Sequence, residues 1–351
     1  MAPFDSPAAR SGGRDGGAAR SGGRGAQLLQ EGAVVETSGS TGLPKRVVLS
    51  GAAFRANSKA AADELGEPGH WVLVLPTNYI AGLNVLARAA HWGREPVSAI
   101  GGPTFSALGF AAVVGTLDGP RYTSLVPVQL QRLLDSVPGL DALRTFDRVL
   151  VGGQAPDPGL LVRARQEGLR VTVTYGATET CGGVLWDGRP IGDTESTLID
   201  GVVHLRGASL ADGYLDDAER TAEAFPVIDG TRWHRTRDRG EVQGDRLVIL
   251  GRTDDIIISG GVKVSLAAVE AVARHAGARD AIAVAVPREG WGEAPAIVTT
   301  APVDEDAIRG AVADALGPEA RPIAFCLVPA IPMLPSGKPD RAATAALART
   351  P

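Results

Sequence analysis

The segment ETSGSTGLPK, residues 36–45, follows the apolar pair Val34 and Val35 and is the strongest indication of the fold in this chain. Glycine at two of its positions permits positive φ and a close approach of the backbone to a ligand. A flexible Ser/Gly turn is the alternative, and a Walker loop is excluded because the lysine follows a proline and precedes Arg46. Hydroxyls, backbone amides and one ammonium group suit phosphate oxygens. The segment therefore predicts a polyphosphate-binding loop formed by Thr37, Ser38, Gly39, Ser40, Thr41, Gly42 and Lys45.

Around this loop, short β-rich runs alternate with helical patterns from about residue 34 to residue 173, as in a sheet covered by helices. Beyond about Leu250 a second unit follows, with a helix for which Ser265 is the predicted N-cap. The sequence thus predicts an α/β protein with a large N-terminal domain of mixed or parallel sheets and a smaller α+β C-terminal domain. The predicted strands are 71–75, 122–126, 146–151, 170–174, 281–286, 296–300 and 325–328.

Composition and length agree with this division. At 351 residues the chain exceeds the usual size of a single core, and we predict a disordered leader at 1–25 and domains at 26–251 and 252–351.

The formal net charge of -5 gives no reason to expect nucleic acid as a partner. No apolar run reaches the roughly 18 residues of a membrane span, so we expect no membrane insertion and a cytoplasmic location. Only Cys181 and Cys326 are present, which excludes a disulfide framework. The oligomeric state stays open, a homodimer included.

Two glycine-containing motifs follow predicted strands in the first domain. TYGATET at 174–180 comes after a strand, and a turn at the carboxyl end of a strand is where open α/β sheets hold ligands. A surface turn is the alternative. The run Gly152, Gly153 and Gln154 also ends a predicted strand, and its glycines would admit a flat ring. A tight strand-to-helix turn is the alternative there.

Three further motifs lie closer to the C-terminus, at 233–241 (WHRTRDRGE), 250–261 (LGRTDDIIISGG) and 334–341 (LPSGKPDR). The carboxylate of Asp238 in the first could accept hydrogen bonds from two hydroxyls. The alternative for 233–241 is a charged hairpin, and the alternative for 250–261 is a plain strand with its turn. For 334–341 the alternative is that Lys338 is a solvated lysine of the tail.

In this order the motifs resemble those of the adenylate-forming superfamily, which includes acyl-CoA synthetases, peptide-synthetase adenylation domains and luciferases. The resemblance covers about residues 34 to 341. It implies ATP and Mg²⁺ as cofactors, coenzyme A as co-substrate, and an acyl adenylate that is converted to an acyl-CoA thioester. By the same resemblance, Thr178 contacts phosphate, Glu179 holds magnesium and Asp238 binds the ribose hydroxyls. The adenine and acyl sites are then lined by Gly152, Gly153, Gln154, Thr174, Tyr175 and Gly176.

The resemblance also assigns roles in the second half of the chain. Arg252 would reach the nucleotide, and Asp254 would be the hinge about which a mobile C-terminal domain rotates. Lys338 would be the catalytic lysine that stabilises charge during adenylation. The glycines Gly260 and Gly261 would approach the thioester-forming site. One departure from the family pattern is Arg237, which stands where glycine usually precedes the ribose-binding aspartate.

The acyl substrate is indicated by weaker features. The short chain and the hinge sequence look like o-succinylbenzoyl-CoA synthetases of menaquinone biosynthesis, so o-succinylbenzoate is the expected acid. The run PTNYIAG at 76–82 resembles the start of the helix that lines the acyl pocket, which makes Tyr79 and Gly82 candidate pocket residues. Tyr79 could stack on an aromatic acid or pack in the core. The alternatives are another aryl- or acyl-CoA ligase and an AMP-binding homologue without catalysis.

Overall fold

The predicted phosphate loop joins two paired strands at the start of the fold. This computed structural model describes residues 23–37, 45–101, 105–334 and 339–349. The strands on either side of the loop are antiparallel, and Thr37 lies opposite Lys45 in their register. Ser38, Gly39, Ser40, Thr41 and Gly42 lie outside the described residues. The first elements are α1 (Arg24–Glu31), β1 (Ala33–Thr37), β2 (Lys45–Leu49) and α2 (Gly51–Leu65).

A seven-stranded mixed sheet forms the centre of the large part of the protein. Its first five strands are parallel, in the order β4-β3-β5-β6-β7, and β8 and β9 extend it antiparallel. The four strands predicted here are confirmed, with shifts of at most three residues at their ends. The strands are β3 (His70–Leu73), β4 (Val97–Ser98), β5 (Arg121–Leu125), β6 (Arg148–Val151), β7 (Val171–Ala177), β8 (Gly182–Trp186) and β9 (Arg189–Pro190).

Helices cover both faces of this sheet. On one face Phe54 of α2 and Trp71 of β3 belong to a core that also includes α1 and the strands beside the loop. On the other face Phe110 stacks on Phe146, with ring centroids 5.5 Å apart. Several of these helices begin at a side-chain cap, and Asp157 accepts a hydrogen bond from the Leu160 amide at 3.0 Å. The helices are α3 (Ile80–His91), α4 (Ala107–Val114), α5 (Pro127–Leu134), α6 (Val137–Leu143) and α7 (Pro158–Gln166).

A second, antiparallel sheet of four strands follows, in the order β10-β11-β15-β16. Its last two strands carry the predicted ribose and hinge motifs. The short strand β12 instead joins β2, which ties this region to the phosphate loop. The elements are β10 (Glu195–Ile199), β11 (Val202–Arg206), β12 (Gly213–Tyr214), α8 (Ala218–Ala224), β13 (Val227–Ile228), β14 (Thr231–Arg232), β15 (His234–Gln243) and β16 (Arg246–Arg252).

The C-terminal part has a sheet and a core of its own. The strand order is β18-β17-β20-β19, and β21 runs parallel beside β20. Ser265 caps α9 by accepting a hydrogen bond from the Ala268 amide at 3.3 Å, as predicted. Val269 and Ile297 are fully buried in this core. The elements are β17 (Ile256–Ser259), β18 (Val262–Ser265), α9 (Leu266–His275), β19 (Ile282–Arg288), β20 (Gly292–Thr299), α10 (Glu305–Leu316), β21 (Ala324–Leu327) and α11 (Arg341–Ala348).

The α/β class, with a large part followed by a smaller α+β part, is therefore the observed architecture. Helix α1 begins at Arg24, so the last two residues of the predicted leader are helical, and residues 1–22 lie outside the described part of the chain. Among the described helices, none has both the length and the apolar character needed to cross a bilayer.

Candidate active site

One large cleft collects residues from segments that are far apart in sequence. Its volume is about 3230 Å³, and its walls come from the carboxyl ends of the central strands, from β15 and β16, and from the C-terminal part. Most of the predicted nucleotide-binding residues lie on its walls. These are Thr37, Lys45, Gly153, Gln154, Thr174, Tyr175, Gly176, Thr178, Glu179, Asp238 and Arg252, and the predicted hinge residue Asp254 also lies on the wall.

At one side of the cleft Asp238 is held by a tyrosine and an arginine. The Tyr175 hydroxyl donates a 2.5 Å hydrogen bond to Asp238 Oδ2, and Arg252 Nη1 lies 3.8 Å from Oδ1. The Asp238 amide also donates to Thr236 Oγ1 at 3.0 Å. Burial and the neighbouring carboxylate raise the pKa of Tyr175, so its phenol stays protonated and acts as a donor. Asp238 is thus an oriented acceptor that can take hydroxyl hydrogen bonds on its open side.

Beside Asp238, the carboxylate of Asp254 lies within ion-pair distance of two arginines. Arg252 donates from Nε to Asp254 Oδ1 at 3.1 Å and from Nη2 to Oδ2 at 2.9 Å, a bidentate pair. Arg237 Nη1 lies 3.6 Å from the same Oδ2. Burial opposes ionisation of Asp254, but the hydrogen bonds and charge of Arg252 outweigh it and lower the pKa of this carboxyl overall. The predicted hinge residue Asp254 is therefore ionised and paired in this arrangement.

Glu179 lies on a second side of the cleft, in a single turn of 3₁₀ helix at Thr178–Thr180. The Tyr214 hydroxyl donates to Glu179 Oε1 at 2.7 Å, and within the described part of the chain no hydrogen bond is donated to Oε2. Lys45 Nζ lies 5.4 Å from the centre of the Tyr214 ring. Burial lowers the pKa of Lys45, Glu179 opposes that shift, and Arg237, Arg220 and Arg252 add to it. Cations thus outnumber anions around this ammonium group.

The donor set at Glu179 fits one kind of metal ion. Within the described residues there is no group of three or more His, Cys, Asp or Glu side chains that could hold a metal. Magnesium commonly binds proteins through one or two carboxylates and completes its shell with substrate phosphates and water. A single carboxylate on the cleft wall, in the electrostatic range of Lys45, therefore fits magnesium brought in with a polyphosphate.

Gly153 and Gly176 give the cleft a wall without side chains, and the predicted Gly152 next to them is not among its described lining residues. A Cβ on Gly176 would lie 1.9 Å from the Gly182 carbonyl oxygen, and a Cβ on Gly152 would lie 2.4 Å from Thr174 Oγ1. The motif at 174–180 was expected to begin a turn, but Thr174, Tyr175 and Gly176 belong to β7, which continues to Ala177 and pairs with β8. The antiparallel partner extends the strand past the point where the parallel pairing ends.

The two glycines predicted to approach the thioester-forming site lie away from the described walls of the large cleft. Gly260 and Gly261 form the turn between β17 and β18, and the Gly260 amide donates to the Trp291 carbonyl at 3.1 Å. Both residues have positive φ, which explains the residue type. Neither is among the described residues that line the large cleft.

The predicted acyl-pocket residues also lie outside the large cleft. Tyr79 lines a neighbouring cavity of about 560 Å³, whose walls include Arg24 and Thr77. Gly82 is packed in α3, where a Cβ would lie 2.2 Å from the Pro76 carbonyl oxygen. Thr37 and Leu334 line both cavities, so the two spaces adjoin beside the phosphate loop.

Lys338 lies outside the described residues, but the chain on either side of it is placed. Leu334 and Pro339 both line the large cleft. Met333 and Pro339 form an antiparallel bridge, and the Asp340 amide donates to the Pro332 carbonyl at 2.8 Å. The two ends of the predicted lysine segment are therefore held together at the edge of the cleft.

Several cleft residues were not predicted from the sequence. Tyr214, Arg220 and Thr236 carry hydrogen bonds or charge next to predicted residues. The Gly-Tyr pair at 213–214 has no charge or repeat that would mark it. Its role follows from the pairing of β12 with β2, a contact between segments about 165 residues apart that no local pattern reveals.

Comparison with known proteins shows which family the chain resembles. A family model described as AMP-binding enzyme matches residues 34–215, and one described as AMP-binding enzyme C-terminal domain matches residues 270–338. A relative from Mycobacterium tuberculosis (strain CDC 1551 / Oshkosh), named probable 2-succinylbenzoate-CoA ligase, is 38% identical over 322 residues. That match covers 88% of this chain and 82% of the relative.

Solved structures give the same fold. The o-succinylbenzoate CoA synthetase of Bacillus subtilis, in complex with its acyl-adenylate intermediate, aligns with a TM-score of 0.78 at 24% identity, over 91% of this chain and 69% of that one. The same enzyme with ATP and magnesium ion aligns with a TM-score of 0.77 at 24% identity, over 90% of this chain and 70% of that one. With both family models matched in chain order and a relative of this identity aligned over most of its length, the chain belongs to the AMP-binding enzyme family.

Proposed function

We propose that this chain is an AMP-forming acid-CoA ligase that converts o-succinylbenzoate to o-succinylbenzoyl-CoA, a step of menaquinone biosynthesis. The observation that carries the proposal is the convergence of Glu179, Asp238 and Arg252 on one cleft beside both ends of the phosphate loop. The acid is taken from the relative of 38% identity, which is named for this substrate. The neighbouring cavity lined by Tyr79 would take the acyl group, which is supported by its position beside the strands that flank the phosphate loop.

The positions of the cleft residues would give a bound nucleotide a single orientation. The ribose hydroxyls would donate to Asp238, which Tyr175 orients through its 2.5 Å hydrogen bond. The adenine would lie against the side-chain-free wall at Gly153 and Gly176, where a Cβ at the latter position would collide with backbone. The phosphates would then reach the region of Lys45 and Glu179. Fixed positions of this kind lower the barrier by holding the reacting groups in line.

In the first half-reaction, a carboxylate oxygen of the acid attacks the α-phosphorus of ATP, and the bond to the bridging oxygen of pyrophosphate breaks. Lys45 and the proposed catalytic residue Lys338 would stabilise the charge that develops on the phosphate oxygens. Thr178 would donate its hydroxyl to a phosphate. Glu179 would hold Mg²⁺, which neutralises phosphate charge when it is bound. The products are the acyl adenylate and pyrophosphate.

In the second half-reaction, the thiol sulfur of CoA attacks the acyl carbon, the thiol proton goes to solvent, and AMP leaves. The family resemblance places Gly260 and Gly261 near the thiol at this stage and makes Asp254 the hinge. In the present arrangement these glycines pack beside Trp291, and Asp254 is paired with Arg252. Rotation of the C-terminal part between the two steps is therefore part of the proposal. So is a cytoplasmic location, where ATP and CoA are both supplied.

The test is turnover with a panel of acids. Purified protein is incubated with ATP, Mg²⁺ and CoA and with o-succinylbenzoate, benzoates, fatty acids or no acid, and the CoA thioesters are identified by mass spectrometry. We expect o-succinylbenzoyl-CoA, with one AMP and one pyrophosphate formed for each thioester. Turnover of other acids without o-succinylbenzoate would reject the substrate, and absence of pyrophosphate exchange with every acid would reject catalysis.

A further inference from the structure

The turn that carries Glu179 has a backbone conformation that its own sequence does not favour. Cys181 ends the turn with φ 54° and ψ 35°, in the left-handed region. The other four described non-glycine residues with positive φ are all aspartates, a residue type that visits this region more readily. Cysteine has no such preference, so contacts from outside the turn must hold Cys181 in this conformation.

Two buried asparagines, one on α2 and one on α3, supply contacts of this kind. Asn84 of α3 donates from Nδ2 to the Cys181 carbonyl at 2.8 Å, and Asn57 of α2 donates from Nδ2 to the Gly183 carbonyl at 3.3 Å. Asn84 is 2% exposed and Asn57 is 1% exposed. Because a buried carbonyl needs a partner, these two amides fix the path of the chain where it leaves the turn and enters β8.

The space around Asn84 leaves its side chain little freedom. A Cβ on Gly182 would lie 2.2 Å from Asn84 Nδ2, so the amide packs directly on the backbone after the turn. From another direction, the Ala211 amide donates to the Glu179 carbonyl at 2.8 Å. The backbone of Glu179 is therefore held by Ala211 directly and by Asn84 through Cys181.

A buried arginine supports the second asparagine. Arg88 lies one helical turn after Asn84 on α3, is 5% exposed, and donates from Nη2 to Asn57 Oδ1 at 3.0 Å. Its guanidinium lies 5.5 Å from the centre of the Trp71 ring. Burial lowers the pKa of Arg88 to about 10, so the side chain stays charged at neutral pH. A charged donor makes the stronger hydrogen bond, which turns the Asn57 amide nitrogen toward Gly183.

We propose that Asn84 is a positioning residue for Glu179, and that its hydrogen bond to Cys181 holds the turn in the conformation in which the glutamate binds Mg²⁺ together with the phosphates of ATP. The inference rests on the proposed function, since it assigns a support to the metal-binding side chain of that reaction. Asn57 and Arg88 support the same stretch of chain two residues later. The competing role is that Asn84 only satisfies a buried carbonyl of the core.

The test uses Asn84→Ala and Asn84→Asp, the second of which keeps the size of the side chain but replaces the donor with an acceptor. Both are also made in a Glu179→Gln background, to form double-mutant cycles. Ser58→Ala is the matched control, because Ser58 lies on α2, is 1% exposed, and its Oγ has no hydrogen-bond partner among the described residues.

Three measurements are made without turnover. Calorimetry with a non-hydrolysable ATP analogue over a range of Mg²⁺ concentrations gives the metal dependence of binding, and calorimetry with AMP in the absence of metal reports the rest of the site. Hydrogen–deuterium exchange of residues 177–183 reports the order of the turn itself. Thermal unfolding of each variant checks that it folds.

For both Asn84 variants we expect the half-saturating Mg²⁺ concentration to rise about fivefold or more, the size of one net hydrogen bond. Hydrogen exchange at 177–183 should become faster, and AMP affinity should stay within about twofold of the parent protein. In the Glu179→Gln background the same substitutions should change the Mg²⁺ dependence by less than about twofold, because the residue through which Asn84 acts has lost its charge. Ser58→Ala should match the parent protein.

Two results would overturn the inference. One is a lower melting temperature with an unchanged Mg²⁺ dependence, as the competing role predicts, and the other is an equal Mg²⁺ shift in both backgrounds. If Asn84→Ala does not fold, Asn84→Asp gives the same comparison with the side-chain volume kept.

The same experiments separate this inference from the proposed function. A parent protein that binds the analogue with Mg²⁺ but forms no thioester would contradict the ligase assignment alone. A parent protein that forms the thioester, and whose Mg²⁺ dependence is shared by both Asn84 variants, would contradict the assignment of Asn84 alone.

Discussion

Asp238 and Arg252 face each other across the antiparallel pair β15 and β16, with Asp238 Oδ1 and Arg252 Nη1 3.8 Å apart. The residue proposed to bind ribose and the residue that leads into the proposed hinge thus share one cross-strand position. Backbone pairing fixes their separation, so a nucleotide bound at Asp238 would be coupled to the start of the C-terminal part through this strand pair. Substitution of either residue should therefore weaken nucleotide binding.

Substitution of Asp238 should remove recognition of the ribose. For Asp238→Ala we expect the KM for ATP to rise about tenfold, because a carboxylate that accepts hydroxyl hydrogen bonds contributes about that much. The sharper measurement is the ratio of kcat/KM for ATP to that for 2′-deoxy- and 3′-deoxy-ATP. The parent protein should prefer ATP, and the variant should show little preference. An unchanged ratio would mean that Asp238 does not contact the hydroxyls. Tyr175→Phe keeps the Asp238 carboxylate but removes its hydrogen bond from the phenol. Its kcat/KM ratio should lie between that of the parent protein and that of Asp238→Ala.

Substitution of Glu179 should change the metal requirement. Glu179→Gln keeps the shape of the side chain but removes the charge that a hard cation prefers. We expect half-maximal activity at about tenfold more Mg²⁺, the cost of weakening one coordinating contact. Tyr214→Phe is the control, since it removes the 2.7 Å hydrogen bond to Oε1 and leaves the carboxylate. If both variants shift the Mg²⁺ profile equally, the effect comes from orientation of the glutamate and not from its charge.

Substitution of Lys338 should separate the half-reactions. Lys338→Ala is expected to slow adenylation about 10²- to 10³-fold, the usual effect of removing a donor that stabilises transition-state charge. Thioester formation from preformed acyl adenylate should be largely retained. The two rates are measured in single-turnover experiments. Comparable losses in both steps would contradict the assigned role, and a solvated tail lysine would give no loss in either.

A stability prediction concerns Gly176 in β7. A Cβ there would lie 1.9 Å from a backbone oxygen of β8, which cannot move aside without disturbing the strand pair. Gly176→Ala should lower the free energy of unfolding by about 2 kcal/mol or more, as overpacking does. Gly310→Ala in α10 is the control, since its Cβ would meet nothing within 4 Å, and we expect a gain of up to about 1 kcal/mol. Denaturant unfolding measures both, and equal effects would refute the steric argument.

Much of the fold could be predicted from the sequence because its signals are local. Short β-rich runs that alternate with helical patterns located β3, β5, β6 and β7 to within a few residues. The end of β7 was missed because its last residues pair with β8 and not with the parallel neighbour. The mixed nature of the sheet depends on that pairing, which periodicity does not encode.

The candidate site shows the same limit. Charged and glycine-rich motifs predicted Glu179, Asp238 and Arg252, and all three line one cleft. Tyr214 was not predicted, because its contact with Glu179 depends on the pairing of β12 with β2. The position of Tyr79 in a neighbouring cavity, and of Gly260 beside Trp291, also depends on packing between distant segments. Motifs indicate which chemistry is present, and tertiary contacts decide where it acts.

The most direct test of the central claim is a rapid-quench experiment in two stages. Enzyme in excess is first mixed with ATP, Mg²⁺ and o-succinylbenzoate without CoA, and the quenched products are identified by mass spectrometry. We predict one o-succinylbenzoyl adenylate and one pyrophosphate per active site, followed by complete conversion to thioester and AMP when CoA is added. Formation of ADP with an acyl phosphate, or no product from o-succinylbenzoate while another acid is adenylated, would contradict the account.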